Sequence, residues 1–111
     1  MTVEFEICGQ TMVALNGGPL FKFNEAVSFA IACESQDEID YFWSKLTEGG
    51  AESRCGWLKD KYGLSWQVVP AVLPKLLGEA DEAARDRVMN ALLKMKKFDL
   101  RKLQDAYAGA A

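Results

Sequence analysis

At Pro70 the hydrophobic pattern of the chain changes from mainly strand-like, with one helix, to helical throughout, and this change limits the folds open to the chain. Before Pro70, short apolar runs alternate with polar residues or are interrupted by turn residues, as is typical of β-strands. After Pro70, apolar residues recur at spacings of three and four, as in amphipathic helices. A strand-rich part over residues 1–70 and a helical tail over residues 71–111 therefore predict an α+β protein, and 111 residues fit a single domain.

The residues before position 34 predict three strands. Residues 3–7 alternate between apolar and polar side chains and residues 11–15 form a second apolar run, which together predict a β-hairpin with its polar side in water. Asn16 with the two glycines after it could form a turn or an anion-binding nest, and a turn is favoured because Asn-Gly is a common turn pair. Residues 26–33 are apolar almost throughout, which predicts a strand covered on both faces.

The strongest local signal is the start of a helix at Ser35. Ser35-Gln36-Asp37-Glu38 is a capping box, in which the Ser35 hydroxyl accepts from the Glu38 amide and the Glu38 carboxylate reaches back to the Ser35 amide. The following apolar stripe gives one buried helix face, and Gly49-Gly50 supplies the left-handed residue that ends the helix. The stripe consists of Ile39, Phe42, Trp43 and Leu46.

A second hairpin and two or three helices complete the predicted order. Residues 53–58 and 64–69 predict two strands, joined by a turn in which Asp suits the entry and Gly suits a positive φ at the exit. A short helix is predicted around residues 72–77. Two longer helices follow, with Asp81 and Asp99 as their N-caps.

Composition excludes several classes of function. The net charge of −3 and a pI near 4.9 provide no attraction for nucleic acid or an anionic membrane. No apolar run approaches the roughly 20 residues that span a bilayer, and the first residues lack the pattern of a signal peptide, so we expect a cytoplasmic protein. The basic residues Lys94, Lys96, Lys97, Arg101 and Lys102 cluster locally, either as a solvated helix end or as a contact for an acidic partner.

Reactive side chains are few. Histidine is absent, which removes the commonest general base and excludes Ser-His-Asp and Cys-His arrangements within the chain. The three cysteines, Cys8, Cys33 and Cys55, form no CxxC motif, and we expect them to be reduced apolar residues. No catalytic constellation is visible in the sequence.

Three stretches, residues 12–19, 27–50 and 55–70, resemble PhnB-like proteins, which are labelled 3-demethylubiquinone 3-methyltransferase-like. These proteins form a branch of the vicinal oxygen chelate, or glyoxalase/bleomycin-resistance, superfamily. The resemblance implies a cupped half-barrel sheet of βαβββ modules followed by C-terminal helices. The chain begins at what resembles the closing hairpin of a first module, so the fold is expected to be N-terminally incomplete by about one βαβ unit. Because exposed sheet edges are covered or paired, we expect a homodimer in which the neighbouring chain supplies strands or helices in place of the absent unit, strand exchange being one such arrangement.

The resemblance also places Ser28 and Gln67 where metal-dependent relatives carry a His or Gln and a Glu. A hydroxyl and a neutral amide make a weak donor set for Zn²⁺, Fe²⁺ or Mn²⁺, so no metal and no cofactor are expected. Both side chains could instead bind a ligand in a cavity, or Gln67 could be an ordinary polar residue of an alternating strand. Trp57 and Trp66 could stack on a ligand, although aromatic residues more often pack in a core.

The leading hypothesis is a metal-free protein that binds an apolar or mixed small molecule in a cavity lined by Ser28, Trp57, Trp66 and Gln67. The methyltransferase activity in the family label is not expected here, because no glycine-rich loop for S-adenosylmethionine follows a strand. One alternative is a lyase or dioxygenase whose metal ligands are completed by a partner chain. Another is a truncated relative that serves as a structural or interaction module.

Overall fold

The computed structural model describes residues 1–109, which form an α+β structure with two sheets and four helices. The predicted order of elements is confirmed except for the short strand β4, which was not predicted. The strands are β1 (Thr2–Ile7), β2 (Gln10–Leu15), β3 (Ser28–Cys33), β4 (Ala51–Glu52), β5 (Trp57–Lys59) and β6 (Ser65–Pro70). The helices are α1 (Gln36–Thr47), α2 (Leu73–Glu79), α3 (Glu82–Leu92) and α4 (Leu100–Ala108).

The predicted N-terminal hairpin forms a two-stranded sheet of its own. Strands β1 and β2 pair antiparallel from Thr2 opposite Leu15 to Ile7 opposite Gln10. At the turn, Cys8 and Gly9 have positive φ values of 50° and 80°, as a tight two-residue hairpin turn requires. We call residues 1–15 the hairpin. None of its residues is buried, so the apolar side is exposed together with the polar side.

The second sheet has the strand order β3-β6-β5-β4, with β3 parallel to β6 and the other pairs antiparallel. The prediction that residues 26–33 are covered on both faces is wrong, because β3 is an edge strand and Ala30 is exposed. The predicted strand over residues 53–58 is also wrong in part. Cys55 and Gly56 have positive φ values of 57° and 82°, so the chain turns there and β5 begins only at Trp57.

Helix α1 packs on one face of this sheet and forms the first of two cores. The Ser35 hydroxyl accepts from the Glu38 amide at 3.2 Å, as predicted, while the Glu38 carboxylate accepts from the Glu34 amide rather than from Ser35. Gly49, with a φ of +72°, follows the end of the helix. The core beneath α1 contains Cys33, Ile39, Trp43, Leu58 and Val68.

The helical tail forms the second core and is attached to the first part by specific contacts. Asp81 and Asp99 cap α3 and α4, as predicted, each by accepting from a backbone amide three residues on. The Gln36 side chain joins α1 to the tail, since it donates to the Phe98 carbonyl and accepts from the Leu100 amide. We call residues 28–109 the body. Its second core contains Leu73, Val88, Leu92, Phe98 and Leu103.

None of the helices within residues 1–109 has the length and apolar composition needed to cross a membrane.

Candidate functional site

The face of the four-stranded sheet that lies opposite α1 carries most of the predicted site residues. Successive side chains of a strand point to opposite faces, and Val68 packs in the core beneath α1. Gln67 therefore lies on the other face, which we call the open face. Trp57 shares the open face because it pairs directly with Gln67 across β5 and β6.

Ser28 and Gln67 meet on the open face by a direct hydrogen bond. The Gln67 side-chain amide donates to the Ser28 hydroxyl oxygen at 2.9 Å, which links β3 to β6. The bond leaves the Ser28 hydroxyl hydrogen, the Gln67 side-chain carbonyl oxygen and one amide hydrogen for other partners. Both residues are half-buried, so these groups are accessible for a ligand.

Trp66 lies on the face that packs against α1, because it neighbours Gln67 on the same strand. Its indole nitrogen donates to the Asp60 carboxylate at 2.9 Å, and its ring meets Phe29 edge to face with centroids 5.3 Å apart. The structure thus places Ser28, Trp57 and Gln67 on one face and Trp66 on the other. Trp66 nevertheless lines a cavity at the free edge of β3, to which Ser28 also contributes.

A cavity lies between the hairpin and the free edge of β3, and we call it the hairpin groove. It encloses about 480 Å³ and is mostly apolar. Ser28 lines the groove, and its hydroxyl accepts a hydrogen bond from the neighbouring Gln67 side chain. The hairpin contributes Ile7, Cys8, Gln10 and Met12, and the body contributes residues 28–32 and Trp66. Ile7 and Met12 were not predicted as site residues, because only the alternation of β1 and β2 marks them.

A second cavity of about 310 Å³ lies at the other end of the open face, and we call it the Ser65 pocket. Lys59 forms an ion pair there with Glu25, which tethers the loop before β3 to the sheet. The hydrogen bond from Lys59 lowers the pKa of the Glu25 carboxyl. Trp57 lines this pocket and not the hairpin groove. Ser65 was not predicted as a site residue, because a single serine at the start of a strand is common.

The residues at the implied metal positions do not fit a transition metal. Ser28 and Gln67 offer a hydroxyl and an amide that are hydrogen bonded to each other, whereas Zn²⁺ and Fe²⁺ prefer imidazole, carboxylate or thiolate ligands. Over residues 1–109, no three side chains of His, Cys, Asp or Glu converge on a common point.

The three thiols are free and differ in their surroundings. Cys8 is exposed at the hairpin turn and lines the groove, while Cys33 is buried beneath α1. Burial raises the pKa of the Cys33 thiol, and the nearby carboxylates of Glu38 and Glu34 act in the same direction. Cys33 is therefore a poor nucleophile, which agrees with a packing role.

Fold and site together define an α+β protein with two sheets and a groove between them, and this fold is similar to that of a solved PhnB protein. The sequence model of the family described as 3-demethylubiquinone-9 3-methyltransferase matches residues 1–69, more than half of the chain. The chain belongs to this family. The match confirms the resemblance seen in the sequence. A search of curated proteins finds no match to the chain.

Two solved structures are similar to the chain. The PhnB protein from Bacillus cereus is 32% identical with a TM-score of 0.60, and the match covers 64% of each chain. The protein PA1353 from Pseudomonas aeruginosa is 17% identical with a TM-score of 0.53, and the match covers 63% of this chain and 62% of that one. The chain thus spans less than two thirds of either relative. The second likeness concerns the fold alone.

Proposed function

We propose that the chain is a metal-free, small-molecule-binding protein of the glyoxalase-type superfamily and that its ligand occupies the hairpin groove. The observation that carries this proposal is the groove of about 480 Å³, whose mainly apolar walls include the hydroxyl-bearing Ser28, which accepts a hydrogen bond from Gln67 outside the lining. Ligand sites in proteins are typically apolar concavities of this size with a few polar groups that fix orientation. The ligand class is therefore an apolar or mixed compound with one hydrogen-bonding group.

The four predicted site residues take different parts in this proposal. Ser28 binds the polar group of the ligand, and Gln67 positions the Ser28 hydroxyl through their hydrogen bond. Trp66 forms the end wall of the groove beside Phe29. Trp57 belongs to the Ser65 pocket and is not assigned to this ligand. The methyltransferase name of the family is not extended to the chain, because the sequence contains no loop that would hold S-adenosylmethionine.

A second copy of the chain is the proposed cover of the groove. Val3, Phe5 and Ile7 share one face of the hairpin and are all exposed, and β3 has an unpaired edge at the same groove. Exposed apolar faces and open edges of this kind pair with another chain. Strand exchange between two copies would cover the apolar face of the hairpin and pair the open edge of β3. A cytoplasmic location belongs to the proposal as well, since reducing compartments keep thiols free.

Fluorescence of an anilinonaphthalene dye tests the groove. Ala30 is exposed on β3 and lines the groove, so Ala30→Trp fills it, while Ala83→Trp on the exposed side of α3 adds the same surface elsewhere. We expect the wild type and the Ala83→Trp variant to bind the dye, and Ala30→Trp to bind it at least about tenfold more weakly, since a filled site removes the apolar contact. Equal binding by the two variants would contradict the groove as the site.

An interaction module is the second candidate, and the exposed apolar face of the hairpin is the observation in its favour. This function needs the dimer but no ligand. A wild-type protein that dimerises and binds neither the dye nor small aromatic compounds would support the module over the binding protein.

A further inference from the structure

Ser65 has an unusual environment for a hydroxyl group. It is 1% exposed, and its oxygen has no hydrogen-bond partner within residues 1–109. Buried side-chain hydroxyls are nearly always hydrogen bonded, so an unpartnered one that lines a cavity indicates a place for a polar partner. Ser65 pairs with Lys59 on β5, which places both side chains on the open face at the Ser65 pocket.

The charged groups of the Ser65 pocket on the open face neutralise each other. Glu25 and Lys59 form an ion pair there, one negative group against one positive group, so their formal charge is zero. Glu52 also lines the pocket, but its carboxylate accepts from the Trp43 indole nitrogen at 2.6 Å and is engaged on the α1 side of the sheet. A pocket without excess charge favours a neutral ligand, since an ion would leave water without gaining a counter-charge.

The ion pair still offers hydrogen bonds of both kinds to a neutral ligand. A carboxylate accepts at about four lone-pair sites and an ammonium group has three donors, so Glu25 and Lys59 have capacity beyond the bond that joins them. Both side chains are about half exposed and can be reached. Two adjacent hydroxyl groups match this arrangement, because one can donate to the carboxylate while the other accepts from the ammonium group. Hydrogen bonds to ionised groups are roughly twice as strong as neutral ones.

Trp57 supplies an apolar wall of the same pocket. It is half-buried and lies two residues before Lys59 on β5, so both side chains project from one face of the sheet. The indole ring presents a large, flat apolar surface. At about 310 Å³ the pocket lies at the small end of the range for ligand cavities, which suits a compound of one ring.

We propose that the Ser65 pocket is a second ligand site and that it binds a neutral pyranose ring, the ring of simple sugars. The C–H face of the ring packs against Trp57, and two adjacent hydroxyl groups bind Glu25 and Lys59. A further hydroxyl group of the sugar is the missing hydrogen-bond partner of Ser65. This site is separate from the proposed function, because the pocket and the hairpin groove share no lining residue.

Two tryptophans report on the two cavities separately. Trp57 lines the Ser65 pocket and Trp66 lines the hairpin groove. Their indole N–H signals in a ¹H–¹⁵N spectrum are assigned by single Trp→Phe variants. The probes are methyl β-glucopyranoside, cyclohexylmethanol and methyl β-glucuronide. The second probe keeps a six-membered ring and loses the adjacent hydroxyl groups, and the third adds a carboxylate.

Methyl glucopyranoside at millimolar concentration is expected to shift the Trp57 signal saturably and to leave the Trp66 signal in place. Cyclohexylmethanol should bind at least about tenfold more weakly, because it cannot bridge the ion pair. Methyl glucuronide should also bind more weakly than the glucopyranoside, since Lys59 is already paired and Glu25 repels a second carboxylate.

Three variants test the individual contacts. Ser65→Ala is expected to weaken methyl glucopyranoside binding about three- to tenfold, the effect of one hydrogen bond. Ser44→Ala, which removes an exposed hydroxyl on α1, is the matched control and should leave the binding unchanged. Glu25→Gln frees Lys59 from its ion pair, so this variant should bind the glucuronide more tightly than the glucopyranoside.

Three results would overturn the proposal. They are no movement of the Trp57 signal with methyl glucopyranoside, cyclohexylmethanol binding as tightly as the sugar, and equal sugar affinity of the wild type and the Ser65→Ala variant. Thermal unfolding of the Ser65→Ala variant checks that it is folded, and we expect it to be at least as stable as the wild type because it loses an unpartnered buried hydroxyl.

Discussion

The hairpin and the body contain similar apolar residues and use them in opposite ways. In the body, Ile39 is 0% exposed between α1 and the sheet, whereas in the hairpin Ile7 is 43% exposed. The body buries its apolar residues in two cores, and the hairpin pairs its two strands in a sheet that no core supports. An isolated two-stranded hairpin is only marginally stable in water. The body thus has cores of its own, and the proposed second copy of the chain would supply the surface that the hairpin lacks.

The two isoleucines give the largest expected contrast. Ile39→Ala should lower the free energy of unfolding by about 2–5 kcal/mol because it leaves a cavity beneath α1. Ile7→Ala should cost about 1 kcal/mol or less within a single chain, since nearly half of the Ile7 surface is in water and Ile7 belongs to neither core. Urea unfolding followed by tryptophan fluorescence measures both, and all three tryptophans belong to the body. Equal costs would show that the hairpin is part of the body's cooperative unit.

The next comparison is between two glycines with nearly the same φ, one in the body and one in the hairpin. Gly56 has a φ of +82° and Gly9 a φ of +80°, so an alanine at either position costs about 1–2 kcal/mol of backbone strain. At Gly56 the added Cβ would also lie 2.5 Å from a ring carbon of Phe98, which adds about 1–3 kcal/mol of overpacking. Nothing lies within 4 Å of a Cβ at Gly9. A larger thermal destabilisation by Gly9→Ala than by Gly56→Ala would contradict this contrast.

Gln36 tests how firmly the helical tail is attached to the sheet. Its side chain donates to Asp40 and to the Phe98 carbonyl, and it accepts from the Leu100 amide. Gln36→Ala should cost about 1–3 kcal/mol, because two backbone groups of the tail lose their partner. Gln10→Ala on the exposed hairpin is the control and should stay within about 0.5 kcal/mol. Similar unfolding free energies for the two variants would mean that the tail is held by its core alone.

The ion pair between Asp40 and Lys97 should have the smallest effect. Hydrogen bonds from Lys97 and then from Gln36 lower the pKa of the Asp40 carboxyl, and a small desolvation opposes them. A lowered folded pKa stabilises the protein above the ordinary aspartate pKa of about 3.9, and this contribution is lost as the pH falls through the folded value. Because both side chains are nearly half exposed, solvent screening limits the contribution to about 0.2–1 kcal/mol.

Unfolding free energies of the wild type and the Asp40→Asn variant at pH 7 and at pH 3 measure the ion pair. The difference between the two proteins should be present at pH 7 and smaller at pH 3. A difference that grows on acidification would have the wrong sign for a lowered pKa.

Features fixed by near neighbours could be predicted from the sequence. The Ser35, Asp81 and Asp99 caps depend on residues three positions away, and the two hairpins depend on alternation and turn residues. The left-handed Cys55 was not predicted, because a non-glycine residue carries no local signal for that conformation. It is held there by tertiary contact, since the Cys55 amide donates to the Met95 carbonyl 40 residues away.

The candidate site was predictable only in part. Ser28, Trp57 and Gln67 follow from strand alternation and from the resemblance, and they share the open face. The groove needs Ile7 and Met12 from the separate hairpin sheet, and no spacing in the sequence says how that sheet lies against β3. The unpartnered hydroxyl of Ser65 likewise depends on what the surrounding strands leave empty.

Sedimentation equilibrium of the wild-type chain tests the central claim most directly, namely that a second copy covers the apolar face of the hairpin. At micromolar concentration we expect a mass of twice the 12.3 kDa chain, and a return to a single chain in the Phe5→Asp variant, which places a charge in that face. A wild type that sediments as a 12.3 kDa monomer at these concentrations would contradict the account.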